Sequence, residues 1–386
     1  MARPDLGVAW SACAMARAQL RRLMPRVAWH RVFHPLCGAD PLTLVRLLAR
    51  WGPPSRRGAL PFAIAAAASL GRLPLTLAES ALGAVASGPV QAPIFIIGYP
   101  RSGTTHLHNL VAASGRFTTV PPVLAALPWE GRVTAPLIRR FIDPYLPATR
   151  IIDAVRLEPD SPTEDEVALA NLGPLSYFHA IYFPRDFRRA YQQGLLLDDT
   201  RPSEVAARGR ALRRFVATMS WRKPRPLLLK NPAYTAQVDW LLRLFPEARI
   251  IHIHRDPRDV FASNRRTLRT VLGELALQRV PEDEIEATIL ETYPRVMERL
   301  MGETRDLPAA RFADVAFDAL VADPLSELRR IWQRLALPDE VESLDLIKRY
   351  LGSVADYRQS RNSLPPAEAA AIEHRWAPYL DRFGPA

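Results

Sequence analysis

The stretch Ile94-Phe95-Ile96-Ile97-Gly98-Tyr99-Pro100-Arg101-Ser102-Gly103-Thr104-Thr105-His106 constrains the fold more than any other part of the sequence. Four apolar residues, Ile94 to Ile97, read as a buried strand that runs into a loop with two glycines. An apolar-periodic helix through Leu107, Leu110 and Val111 follows at once. A glycine-rich turn between strand and helix exposes backbone N–H groups, and the helix N-terminus adds roughly half a positive charge. The segment is therefore a cradle for a phosphate-like oxyanion. Thr104 and Thr105 add hydroxyl donors to it, and Arg101 a permanent charge.

Gly98 and Gly103 have the separation of a Walker A loop, but Thr104-Thr105 stand where Lys-Ser/Thr should follow, and the cation has moved inside the loop to Arg101. That argues against an ordinary ATPase. The loop is instead very similar to the 5′-phosphosulfate loop of sulfotransferases that use 3′-phosphoadenosine 5′-phosphosulfate (PAPS), whose usual form is Tyr-Pro-Lys-Ser-Gly-Thr-Thr. Arg101 is the one exchange, and many bacterial and Golgi-type members carry Arg there. The resemblance implies that Arg101, Ser102, Gly103, Thr104, Thr105 and His106 hold the 5′ end of the nucleotide.

A 3′-phosphate needs a second anion site, and the sequence supplies a candidate. Ala248 to His254 reads as another strand, followed by Arg255-Asp256-Pro257-Arg258-Asp259-Val260-Phe261-Ala262-Ser263. Asp256 is a natural N-cap, with Pro257 at the first helical position and Asp259 where a capping box wants its acid. Ser263 falls two turns after Asp256 on the same helical face. Arg255 and Ser263 resemble the family's 3′-phosphate pair. The Arg-Lys-Gly segment with which many members close over that phosphate is absent; Tyr357-Arg358, or Arg361, is the substitute the sequence offers.

These segments, with further strands ending at Lys230 and spanning Arg311 to Phe317, predict a P-loop-type α/β fold: a doubly wound parallel sheet flanked by helices, with an N-terminal helical extension. The resemblance covers about residues 93–383, so we divide the chain into an Arg-rich helical region, 1–90, and a sulfotransferase-like domain, 91–386. In the first region the sequence predicts helices over about 5–24, from Asp40-Pro41 to about Arg50, and two more around 61–71 and 75–87.

Sulfuryl transfer in this family is an in-line displacement in which the protein supplies positioning and charge. By resemblance, Arg101 and Lys230 are the catalytic cations and no metal is required. Cytosolic members carry a catalytic His in a Lys-Thr-His segment, but Lys230-Asn231-Pro232 places Pro232 there. The general base must come from elsewhere. Glu164, Asp165 and Glu166, in a Pro-x-Glu-Asp-Glu run that resembles a bacterial branch of the family, are the first candidates; His106 and His108 are the alternatives. A structural reading competes for the acids, in which Ser161 caps a helix, Pro162 takes its first position and Glu164 completes a capping box.

Charge bears on partners. Of the formal excess of +11, residues 1–90 hold +8, from eleven Arg against Asp5, Asp40 and Glu79. An Arg-rich solvated helix face produces this pattern most often, but an interfacial helix on anionic lipid needs the same composition. No recognition motif for nucleic acid accompanies the charge. The longest apolar run, Ala59 to Gly71, stops at Arg72, well short of the roughly twenty residues a bilayer span needs. Cys13 and Cys37 alone form no disulfide framework. We therefore expect a cytoplasmic enzyme, peripheral on the inner membrane face where residues 1–90 touch lipid, whose acceptor is a small molecule, a lipid or an isoprenoid alcohol. Two rival readings remain open: a P-loop kinase or NTPase, and a catalytically silent nucleotide-binding scaffold.

Overall fold

Four strands form one parallel sheet in the order β2-β1-β3-β4: β1 is Ile94–Ile97, β2 Leu228–Lys230, β3 Arg249–His254 and β4 Phe312–Ala316. The computed structural model describes residues 33–85, 91–143, 149, 157–221, 225–337, 341–354 and 364–384. From β1 the chain crosses to β2 on one side, then returns past β1 to β3 and β4 on the other. The strand order therefore reverses between β1 and β3, and in open parallel sheets ligands bind outside the carboxyl ends at that point. The register sets Ile96 beside Lys230 and beside Ile251.

Alternation along the strands divides the core. Phe95, Ile97, Leu229 and Ile250 face one side, Ile94, Ile96, Leu228, Ile251 and Ile253 the other. Both sides are covered by helices, which is why β1 reads as an unbroken apolar run. The principal helices are α1 (Pro41–Trp51), α2 (Arg56–Val85), α3 (Thr104–Ala113), α4 (Thr134–Ile142), α5 (Glu166–Leu172), α6 (Pro202–Ser220), α7 (Pro257–Leu275), α8 (Glu284–Thr304) and α9 (Pro324–Arg334). Leu107 and Leu110 of α3 and Leu328 and Ile331 of α9 pack with Ile94 and Ile96. Helices α1, α2, α5, α6, α7 and α8 contribute to the opposite layer, so Leu44, Leu47 and Ala65 share a core with Phe95.

Helix starts follow local chemistry where the cap is isolated. Asp40 accepts from the amides of Leu42 and Thr43 ahead of α1, and Asp323 from that of Ser326 ahead of α9. Two expectations are corrected. The segments around 61–71 and 75–87 are one 30-residue helix, α2, with Pro61 and Pro74 inside it. Pro74 removes one amide donor, but Arg72 and Thr76 on either side are tied to Glu130 and hold the helix across the gap. The segment Arg56–Gly83 is thus long and apolar enough to cross a membrane by length and composition, unlike the short run expected. The other correction is at the acid cluster, where Ser161 starts no helix: α5 begins only at Glu166. The helix expected over 5–24 lies outside the described residues.

Candidate active site

The loop after β1 depends on two glycines. Gly98 has φ +155°, and a Cβ there would stand 2.4 Å from the Ile253 carbonyl oxygen of β3. Its amide donates to Thr235 Oγ1 at 2.9 Å, fixing the exit of β1. Gly103, at φ +99°, is the N-cap of α3, and a Cβ there would meet the Phe317 ring at 2.2 Å. Between them Arg101 holds φ +80°, a left-handed conformation that costs a non-glycine residue about 1–2 kcal/mol. Strain of this size persists where neighbouring structure imposes it, and here it turns the guanidinium towards the second motif. Arg101 Nε donates to Ser263 Oγ at 3.0 Å. Ser102 and Thr104 are buried beneath the loop, while Thr105 and His106 are half-buried at the start of α3.

The second motif starts as read, with Asp256 capping α7 through the Arg258 amide. Asp259 completes no capping box, because its carboxylate pairs with Arg255 one turn away. The Arg255 guanidinium also lies 5.0 Å from the centre of the Phe317 ring, the ring that packs on Gly103. Arg255 and Ser263 thus reach the loop from two directions: Ser263 touches Arg101, and Arg255 shares Phe317 with Gly103. Burial lowers the pKa of His106, which leaves its ring neutral near pH 7, edge-on to Phe317 with centroids 6.1 Å apart. His108, two positions on, is buried. Arg358 and Arg361 lie outside the described residues.

The acids at 164–166 are consecutive but do three different things. Glu164, ahead of α5, accepts from Lys230 Nζ at 2.7 Å on one oxygen and from the Tyr177 hydroxyl at 2.7 Å on the other. Lys230 ends β2 beside Ile96, two residues before Gly98, which brings this ion pair to the mouth of the loop. Glu166 is fully buried in a two-pronged pair with Arg208, at 3.1 and 2.8 Å, and also accepts from Asn231 Nδ2 at 2.6 Å. With its lone pairs spent on a buried charge, it is a structural tie.

Asp165 is fully buried and accepts from the Tyr234 hydroxyl. Burial pushes its pKa up to about 7, with the neighbouring charges of Glu166 and Glu164 adding to the rise against that hydrogen bond. The folded value lies above the unfolded one, so its contribution is fully present below about pH 4 and lost as the pH rises to about 7. Urea unfolding of wild type and Asp165→Asn across that range should show the wild type losing ground to the variant up to about pH 7 and no further above it. A difference that does not vary with pH would mean that Asp165 stays ionised.

Sequence reasoning missed Arg208, Asn231, Thr235 and Tyr234 as the partners that hold these groups. Only Asn231 carried a signal, being next to Lys230. Between residues 177 and 191 the sequence is rich in aromatic side chains, of which Tyr177, Tyr182, Phe183, Phe187 and Tyr191 are core, and the Tyr177 hydroxyl turns to Glu164. A cavity of about 790 Å³ lies between the start of α2 and residues 272–280 and contains none of the residues above.

Comparison with known proteins gives a consistent result. The model described as "Sulfotransferase family" matches residues 93–341. Omega-hydroxy-beta-dihydromenaquinone-9 sulfotransferase Stf3 of Mycobacterium bovis is 31% identical over 296 residues, 76% of this chain and 75% of that protein. The protein of the same name from Mycobacterium tuberculosis aligns equally well. Among solved structures, sulfotransferase STF9 from Mycobacterium avium superposes with a TM-score of 0.65 at 20% identity, covering 88% of this chain and 89% of that one. Sulfotransferase STF1 from Mycobacterium tuberculosis gives 0.60 at 19%, covering 94% and 97%.

Proposed function

The chain belongs to the sulfotransferase family and is an enzyme of that kind, and from this premise we propose that it moves the sulfuryl group of PAPS to the hydroxyl of a lipid-like acceptor, with Glu164 as general base. The observation that carries the donor is the contact between Arg101 and Ser263, which joins a phosphosulfate cradle to the site for a second phosphate. Backbone amides at the start of α3, with Thr104 and Thr105, bind the 5′ end; Arg255 and Ser263 bind the 3′-phosphate. The acceptor class rests on the menaquinone-derived compound in the name of the Stf3 relatives.

The acceptor oxygen attacks sulfur in line with the bond to the 5′-phosphate oxygen. As the new S–O bond forms, the old one breaks and its electron pair stays on the phosphate. The hydroxyl proton passes to Glu164, leaving a sulfate ester and adenosine 3′,5′-bisphosphate. Negative charge grows on the leaving oxygen, where Arg101 and the loop amides stabilise it, while Lys230 holds the sulfuryl oxygens. Two fixed cations at the reacting centre give this route its charge stabilisation without a metal ion. Glu164 is preferred over its neighbours because Asp165 and Glu166 are sealed from solvent, whereas the Glu164 side chain keeps 14% of its surface exposed.

Thermal unfolding with adenosine 3′,5′-bisphosphate, ADP or ATP, each with Mg²⁺ or EDTA, tests the donor site. Saturating bisphosphate should add about 3 kcal/mol in either medium, with ADP giving less. A preference for ATP that requires Mg²⁺ would overturn the reading in favour of a kinase.

A further inference from the structure

Helix α2 is inside out. From Ser69 onward its protein-facing stripe is polar: Ser69 donates to the Ala39 carbonyl, Arg72 and Thr76 to Glu130, and Glu79 accepts from the amides of Val133 and Thr134. The opposite stripe, Leu60, Ala63, Ala67, Leu70, Pro74 and Leu77, recurs every three or four residues and faces outward. Leu60, Leu70 and Leu77 keep 69%, 60% and 61% of their surface. A helix of a water-soluble fold shows the reverse polarity.

The pattern extends to the neighbouring helices. Among the described residues, ten of the twelve large exposed hydrophobics lie between Phe33 and Phe141, including Leu42 and Val45 of α1 and Leu137 and Phe141 of α4. Glu79 caps the first turn of α4, so α4 is tied to α2 at that end. Exposed cations, Arg46, Arg56, Arg57 and Arg140, accompany the apolar residues.

We infer that the outer face of α2, with the exposed residues of α1 and α4, seats this protein on an anionic lipid bilayer, with α2 lying in the plane of the interface. Although α2 is long enough to span, its inner stripe is bonded to the protein from Ser69 to Ser80, and leaving for the bilayer core would strip Arg72 and Glu79 of those partners. In-plane immersion keeps every one of those bonds and removes the apolar stripe from water. The cations select lipid over a second copy of the chain. A two-fold interface through this face would bring the Arg side chains of both copies together, whereas an anionic headgroup layer neutralises them. The inference rests on the preceding reading only for its purpose, the presentation of a lipid-like acceptor.

Flotation of the full-length protein with vesicles of phosphatidylcholine, alone or mixed with phosphatidylglycerol, tests it. The wild type should float with both and more completely with the mixed vesicles, the difference shrinking at high salt. The triple substitution Leu60→Glu, Leu70→Glu, Leu77→Glu should cut vesicle binding about tenfold or more. The corresponding triple Gln variant gives the same reading should the Glu variant fold poorly. Wild type that stays in the aqueous fraction at low salt would overturn the inference, and so would a triple variant that floats as well as wild type. A vesicle-indifferent dimer that the substitutions turn into monomers would assign the face to a second copy instead. Stabilisation by adenosine 3′,5′-bisphosphate, measured on the same preparations, reports the donor site alone, so either reading can fail without the other.

Discussion

Replacing Glu164 with Gln should lower kcat by about 10²–10⁴-fold, the range removed when a positioned general base is lost. The shift in melting temperature caused by adenosine 3′,5′-bisphosphate should survive, because the nucleotide groups lie on the loop and α7. Gln can still accept from the Tyr177 hydroxyl, so the side chain should stay in place; its NH2 group then faces Lys230, which loses that acceptor. The measurement is the rate of bisphosphate release at saturating donor and acceptor, with Asp165→Asn and His106→Gln as comparisons. Both of these should keep most of the rate, since Asp165 is sealed beneath Tyr234 and His106 lies against Phe317. A Glu164→Gln enzyme within about threefold of wild type would remove Glu164 from the chemistry, because general-base loss costs far more.

How far the sequence reveals this site depends on how local the governing interactions are. The β1 loop was legible because its constraint is local: two glycines, separated by a run that must turn with positive φ, leave few alternatives to an anion cradle. The start of α7 was legible for the same reason, through Asp256 and Pro257. The acid cluster was not, because its local signal was misleading. Ser161 to Glu164 has a helix-start pattern, yet Glu164 is taken by Lys230, 66 residues away, and by Tyr177, 13 residues away. Two partners in tertiary contact outweigh a cap worth about 1 kcal/mol. Arg208 gave no signal at all, since an Arg in the middle of an Arg-rich helix has nothing in its sequence context to mark it as buried. For α2 the local rule failed in the other direction. Arg72 reads as the end of the apolar run, whereas it is a half-buried anchor paired with Glu130 and the helix runs on through Pro74.

The second large effect is expected at Lys230, one of only three lysines in the chain. Lys230→Met should reduce kcat/KM by about 10³-fold, comparable to the loss of one oxyanion-stabilising donor. It should also destabilise the protein by about 3 kcal/mol, because removing one member of a buried pair leaves the other charge uncompensated. Rate and stability losses from one substitution do not by themselves separate catalysis from architecture. Two further variants do. Lys230→Arg retains the charge and should restore most of the stability, but its planar, bulkier head replaces a compact ammonium and should recover little of the rate. Lys230→Met combined with Glu164→Gln leaves neither charge buried alone, so its stability should approach that of wild type while its activity stays at the floor. If instead the double variant recovers activity along with stability, the Lys230–Glu164 pair only braces the end of β2. The cation and base of the transfer would then have to be sought among Arg101, His106 and Arg255.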